Sequence, residues 1–280
     1  MAQTIESSLR YDVAFLDFHG TFTSNRGRLV HALNIAFRRV LGIRVPESVF
    51  KDVFDRPEGI TATEAMKQSL NGSLSLENKE KITKVYRDAT ESLYIPKHAH
   101  LIARIAELGA RCVIVTNGQE KVVRDALAGW TVGRQKKVAG ELVFDSRGHQ
   151  VRERLSVLSL IDEVYGRGHN SILGGAGVKK KPSPEVIDFV LDDLRRKGLP
   201  VRRDRTLMVG DYQDDIGAGN SAGLHTAFMI TGPNQKPEYY ELRPTYTLLD
   251  SPHLENRSEW LARESVFFMK DLPDIISGRV

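Results

Sequence analysis

The feature that most limits the possible folds of this chain is an alternation of short apolar runs with amphipathic segments from His98 onward. Arg111–Val115, Thr206–Val209, Ala227–Ile230 and Tyr246–Leu248 read as buried strands, while Leu101–Leu108, Lys121–Ala128 and Pro184–Leu194 read as helices. Strands that alternate with helices are joined by right-handed crossovers, which build a parallel sheet. The predicted class is therefore α/β, with a doubly wound parallel sheet. A further apolar run stands near the start of the chain, in Tyr11–Thr23 (YDVAFLDFHGTFT), where Val13–Leu16 end in Asp17 and a turn follows at Gly20. The C-terminal ends of strands are where open α/β sheets collect ligands, so Asp17 is the first candidate functional residue; an aspartate at this place also caps turns.

Residues 25–95 have a different texture. Leu29, Leu33, Phe37 and Leu41 recur at helical spacing before a natural stop at Gly42, and a second helix is expected near Glu47. Thr61–Glu64 has the form of a capping box, and a longer helix is expected from about Ser75 to Tyr94, broken by Pro96. The expected division is an α/β core made of 1–24 and 96–250, a small helical module over 25–95, and a C-terminal extension over 251–280. Val138–Val151, with Asp145–Gly148 in its middle, reads as an inserted hairpin near either the substrate entrance or another subunit.

No apolar stretch approaches the length that spans a bilayer, and Met1–Arg10 lacks the apolar centre of a signal peptide. The single cysteine, Cys112, sits in an apolar run and suits a reduced compartment, so a cytoplasmic protein without membrane association is expected. A net charge of +4 is modest. The basic clusters at Arg38–Arg39, Lys179–Lys181 and Arg195–Arg205 carry no interleaved aromatics, which argues for solvated faces and against nucleic acid. A homodimer is left open.

Three later stretches gather candidate residues: CVIVTNG ending at Thr116–Gly118, KKKPSPE containing Lys181, and MVGDYQDDIGAGNSAG containing Asp211 and Asp215. Thr116 taken alone would equally serve as a helix N-cap. Together with Asp17, and in this order, the four stretches resemble the haloacid dehalogenase-like hydrolase superfamily, in its branch with a small helical cap, where the phosphoglycolate phosphatases and beta-phosphoglucomutases belong. The resemblance runs from about Tyr11 to Asp250. It implies a magnesium-dependent phosphatase that hydrolyses a small phosphorylated metabolite through an aspartyl-phosphate on Asp17, with residues 25–95 as the cap.

By the same resemblance Thr116, with Asn117 and Gly118, binds the phosphate, and Lys181 pairs with Asp17 and the phosphate as a point charge. Lys179 and Lys180 stay in a solvated loop. Asp17, Asp211 and Asp215, with the backbone carbonyl of His19, would hold Mg2+, which prefers hard oxygen ligands. Arg56, in the Arg56–Gly59 loop of the cap, is a candidate for a second anionic group of the substrate. Sugar phosphate, phosphoglycolate-like acid and nucleotide all stay open.

The chain departs from the superfamily pattern Asp-x-Asp-x-Thr at His19, which stands where the general acid/base aspartate belongs. Histidine suits proton transfer near neutral pH. Two alternatives remain: a C–P or C–halogen hydrolase, similar to phosphonoacetaldehyde hydrolase or the dehalogenases, or a phosphate-binding protein with impaired turnover. The dehalogenases lack the acidic pair that Asp211 and Asp215 supply. The C–P enzymes place an imine-forming lysine in the cap, where this chain has only Lys51 and Lys67 at different spacing.

Overall fold

The computed structural model describes residues 9–23, 25–45, 74–92, 94, 96–135, 137–138, 141–143, 146–147, 149–168, 177–231, 243–250 and 266–280. Its contacts divide the chain into two units, one made of Met1–Phe22 with Pro96–Val280 and the other of Thr23–Ile95. The expected helix near Glu47, the capping box at Thr61–Glu64 and the Arg56–Gly59 loop lie outside the described residues.

The larger unit begins with β1 (Val13–Leu16). The smaller unit contributes α1 (Asn25–Leu41) and α2 (Leu76–Ser92). The chain returns through α3 (Ala99–Glu107), β2 (Arg111–Gln119) and α4 (Glu120–Gly129). A ribbon follows, with β3 (Thr131–Gln135), β4 (Lys137–Val138), β5 (Glu141–Leu142) and β6 (Arg152–Ser156), before β7 (Glu163–Arg167). Next come α5 (Glu185–Arg196), β8 (Thr206–Gly210), α6 (Gln213–Ser221) and β9 (His225–Ile230). β10 (Tyr246–Leu249), β11 (Val266–Phe268) and α7 (Leu272–Ser277) complete the order.

Seven strands form one parallel sheet in the order β11-β10-β9-β8-β1-β2-β7. From β1 the chain winds outward through β2 to β7, then crosses back to β8 and winds the other way. β1 and β8 therefore flank the point at which the strand order reverses, where doubly wound sheets open a crevice beyond the strand ends. The α/β class expected from the alternation of strands and helices is the class observed.

Both faces of the sheet are covered, which is why its central strands are apolar throughout and do not alternate. Val13, Phe15, Val113, Val115 and Met208 face α5 through Val186, Ile187, Val190, Leu191 and Leu194. Residues of the other parity, Ala14, Leu16, Cys112 and Ile114, are equally buried. The Cys112 thiol approaches the Ile102 carbonyl at 4.0 Å, which puts α3 on that face. Burial pushes the Cys112 thiol up, and the Asp162 charge adds to it, so this cysteine is an inert core group, as expected.

Residues 266–280, read from sequence as an extension, add β11 to the sheet edge and bury Met269, Leu272, Ile275 and Ile276. The Ile276 carbonyl accepts from the backbone N–H groups of Arg10 and Tyr11 at 3.0 and 3.1 Å, so α7 holds the entry to β1. The ribbon is wider than the hairpin expected over Val138–Val151: β3 pairs antiparallel with β6 from Thr131↔Ser156 to Gln135↔Arg152. At its root the Trp130 indole stacks on Phe18, with ring centroids 5.4 Å apart and planes 18° from parallel.

In the smaller unit, α1 and α2 pack through Ala32, Leu33, Ala36 and Phe37 against Ile82, Tyr86 and Ala89. These positions recur every three or four residues, so each helix buries a single stripe. Gly42, with φ of 71°, closes α1 in the left-handed conformation that favours glycine.

Candidate active site

Asp17 directly follows β1, Thr116 lies within β2, and Asp211 directly follows β8. Because these three strands are neighbours in register, the residues meet at one edge of the sheet. Asp17 continues the β1–β8 ladder, its N–H donating to the Val209 carbonyl at 2.9 Å. Asp215 sits in the first turn of α6, and the Tyr212 N–H donates to its Oδ2 at 3.2 Å.

Lys181 reaches into this group and is 1% exposed. Its Nζ donates to Asp17 Oδ1 at 2.8 Å, to Asp215 Oδ1 at 2.5 Å and to the Val115 carbonyl at 2.7 Å. An ammonium has three protons, and here each has an acceptor. In this geometry Lys181 is first a counter-charge for two acids. Burial works to lower its pKa, but the attraction of Asp17 and Asp215 outweighs it and the net shift is upward. The peptide bond from Lys181 to Pro182 is cis.

One lysine does not balance the acids. Ligand oxygens of Asp17, Asp211 and Asp215 all lie within 4.8 Å of one another. Burial, with the Asp17 charge opposing ionisation and Lys181 favouring it, raises Asp215 to about 7. Burial and the charges of Asp17 and Asp215 hold Asp211 well above the usual carboxylate range. The cluster thus has an excess of negative charge on hard oxygen donors, the setting that suits a small divalent cation such as magnesium. Asp214, next to Asp215, is less buried and is raised mainly by desolvation.

Thr116 is 1% exposed, and its Oγ1 accepts from the Gly118 N–H at 3.1 Å. The same oxygen lies 3.1 Å from His19 Nδ1. The imidazole occupies the space above Gly118, where an added Cβ would come within 2.2 Å of His19 Cε1. Gly20, with φ of 88°, is required in a similar way, since a Cβ there would meet Asp211 Oδ2 at 1.9 Å.

The structure therefore brings Asp17, His19, Thr116, Gly118, Lys181, Asp211 and Asp215 together, while Arg56 lies outside the described residues. The Asn117 side chain turns to the Lys181 loop. Its amide forms a reciprocal pair with the Lys181 backbone, Nδ2 donating to the carbonyl and Oδ1 accepting from the N–H, each at 3.2 Å. Two contributors carried no role in the sequence reading. Thr21 donates through Oγ1 to Asp211 Oδ1 at 3.2 Å, and the Val115 carbonyl holds Lys181. Thr21 had a signal, as the threonine closing the Asp-x-x-x-Thr run; the carbonyl had none.

Residues 178–252 match the family model described as HAD-hydrolase-like. A 73-residue stretch is 33% identical to D-glycero-D-manno-heptose-1,7-bisphosphate 7-phosphatase of Chlorobaculum tepidum, covering 25% of this chain and 37% of that relative. Among solved structures, the chain is similar to a provisionally assigned phosphatase of Clostridium difficile, with a TM-score of 0.59 and 17% identity over 95% of this chain and 99% of that one. It is also similar to a provisionally assigned beta-phosphoglucomutase of Thermotoga maritima, with a TM-score of 0.57 and 14% identity over 84% and 93% of the two chains. A phosphoglycolate phosphatase, so assigned by prediction, of Haemophilus somnus gives 0.56 and 17% over 86% and 95%. At these identities the structural likenesses establish the fold.

Proposed function

We propose that the chain is a HAD-like hydrolase, a magnesium-dependent phosphatase acting on a small phosphorylated metabolite, a reading supported by the match over residues 178–252 and by the fold. The observation that supports this most is the buried Asp17–Lys181–Asp215 ion-pair cluster beside Asp211 and Thr116, at the reversal of strand order. In this reading an Asp17 carboxylate oxygen attacks phosphorus, the P–O bond to the ester oxygen breaks, and that oxygen leaves with a proton as the alcohol. Water then attacks phosphorus of the aspartyl-phosphate, inorganic phosphate departs, and Asp17 is restored.

Each further residue has a part in bringing two anions together. Thr116, Gly118 and the backbone after Asp17 bind the phosphate oxygens, and Lys181 sets a positive charge between Asp17 and Asp215. Asn117 fixes the backbone of Lys181, which makes it a positioning residue. Asp17, Asp211, Asp215 and the His19 carbonyl would hold magnesium, which supplies charge neutralisation at the phosphate oxygens. His19 is assigned the proton transfer, with its ring oriented by the Thr116 hydroxyl.

The 3.1 Å contact between His19 and Thr116 also favours a second reading, in which the imidazole steadies the phosphate-site threonine and turnover is slow. One steady-state series tests both. The protein should release phosphate from a simple phosphate ester only with magnesium present, and Asp17→Asn should reduce the rate to background. Wild-type-like turnover by Asp17→Asn would sink the mechanism. His19→Ala should cost ~10²–10⁴-fold if the ring transfers the proton. A His19→Asp protein far faster than the native one would favour the second reading.

A further inference from the structure

We infer that the substrate carries a second phosphate, held by Lys121 and Arg167 beyond the end of the phosphate-site strand; this rests on the Asp17 cluster being the phosphoryl-transfer site. A cavity of ≈ 240 Å³ opens beside the end of β2, lined by Gln119, Lys121, Arg167 and Gly168. The strand that carries Thr116 runs on through Asn117 and Gly118 to Gln119, where pairing with β7 resumes at Arg167. At ~3.3 Å per strand residue, three steps separate the phosphate-site threonine from the cavity rim by at most about 10 Å.

Backbone packing fixes that separation. A Cβ on Gly166 would lie 2.8 Å from the Gly118 carbonyl oxygen and 2.9 Å from the Glu120 nitrogen, so the ends of β2 and β7 touch without a side chain between them. Arg167 is thereby held one residue beyond a close contact with the phosphate-binding strand.

The positive charge of the cavity is only partly compensated among the described residues. Arg167 is exposed and has no side-chain ion pair or hydrogen bond among the described residues. Among the described residues Lys121 pairs with Asp125 alone, at 2.6 Å, and both side chains are well exposed, so the pair is weak and readily exchanged for a dianion. The acid nearest in sequence, Glu120, is committed to Arg124 at 2.6 Å. Among the described residues no carboxylate lines the cavity. A guanidinium, an ammonium and a glutamine amide converging on one space match a phosphate dianion, whose oxygens accept both forked and single donors. A neutral sugar ring would offer neither cation a counter-charge. The pairing suits a bisphosphate of hexose length; a two-carbon phosphate acid is too short to bridge the sites.

The test compares kcat/KM for fructose 1,6-bisphosphate, fructose 6-phosphate and 2-phosphoglycolate in magnesium. The proteins are the native chain, Arg167→Gln, Lys121→Gln and, as a charge control elsewhere, Lys270→Gln. The native protein should favour the bisphosphate over the monophosphate by about tenfold or more, and each cavity variant should reduce that ratio several-fold, chiefly through KM. Added salt should lower the ratio too, because the cations are exposed. Lys270→Gln should leave it unchanged. A native ratio near one, or a ratio unmoved by both cavity substitutions, overturns the second-phosphate site while the phosphatase reading stands. Release of phosphate from none of the three esters overturns the phosphatase reading, and the second-phosphate site with it.

Discussion

Replacing Asp211 with Asn should make the metal-free protein more stable at alkaline pH and remove its stabilisation by magnesium. Asn has nearly the same shape, and its Oδ1 can keep accepting from Thr21, so the change is mainly one of charge. Two carboxylate charges at the 4.8 Å limit of this cluster would repel by about 3.5 kcal/mol at an effective dielectric constant near 20, and closer ones by more. Asp211 faces two such neighbours, and Lys181 offsets part of the repulsion, which leaves a net gain of about 2–4 kcal/mol for the variant.

The pH dependence follows from the raised pKa values of Asp211 and Asp215. Below the unfolded carboxylate pKa both states are protonated and no repulsion is felt. As pH rises, the unfolded chain ionises first, so native stability is lost until the folded groups ionise as well. Asp215, raised to about 7, places much of this loss between about pH 4 and pH 7. Urea unfolding in excess chelator should therefore show a clear gain for Asp211→Asn at pH 8 and a much smaller one at pH 4.5. Magnesium at a hundredfold its dissociation constant should stabilise the native protein by about 2.7 kcal/mol and the variant far less. The reasoning is refuted if the variant is no more stable than the native protein at pH 8 without metal, or if the gain is equal at both pH values.

Lys181→Met should destabilise the metal-free fold by about 3–5 kcal/mol, because it leaves buried carboxylates without their counter-charge; thermal unfolding at pH 8 measures it, and unchanged stability would refute the counter-charge role of Lys181. Gly118→Ala should displace the His19 ring and lower the hydrolysis rate by an order of magnitude or more. The same substitution in a His19→Ala background should cost much less, and equal losses in the two backgrounds would disprove the steric link. Gly20→Ala combines an unfavourable φ with a clash on Asp211, so magnesium should no longer shift its unfolding midpoint as it does for the native protein.

Much of the core could be read because its strands are buried on both faces. Val13–Leu16 and Thr206–Gly210 are continuous apolar runs, and each ends in an aspartate of the site. β7 escaped because Glu163–Arg167 places charged residues at both ends of a short buried centre. β11 is three residues long, and only its pairing with β10 makes it a strand. β3 and β6 are charged ribbon strands joined across a long connection, a pattern with no apolar period to detect. At the site, the acids and Lys181 stood out by position in their motifs. The grip of Asn117 on the Lys181 backbone, 64 residues away in the chain, and the emergence of Arg167 beside Gln119 are products of strand order. Local sequence carries no trace of either.

The Trp130–Phe18 stack gives the protein an optical reporter of its own reaction centre. Phe18 lies between Asp17 and His19, and its ring meets His19 edge-on at a centroid distance of 5.2 Å while the indole covers it from the ribbon side. Indole emission responds to small changes in neighbouring charge and packing, so the metal capture and Asp17 phosphorylation of the proposed mechanism should become visible without an attached dye. The chain has two tryptophans, and Trp130→Phe assigns the signal while keeping an aromatic ring in the stack. If the proposed mechanism holds, stopped-flow emission should then separate the arrival of phosphate on Asp17 from its departure, the two events that a steady-state rate merges into one number.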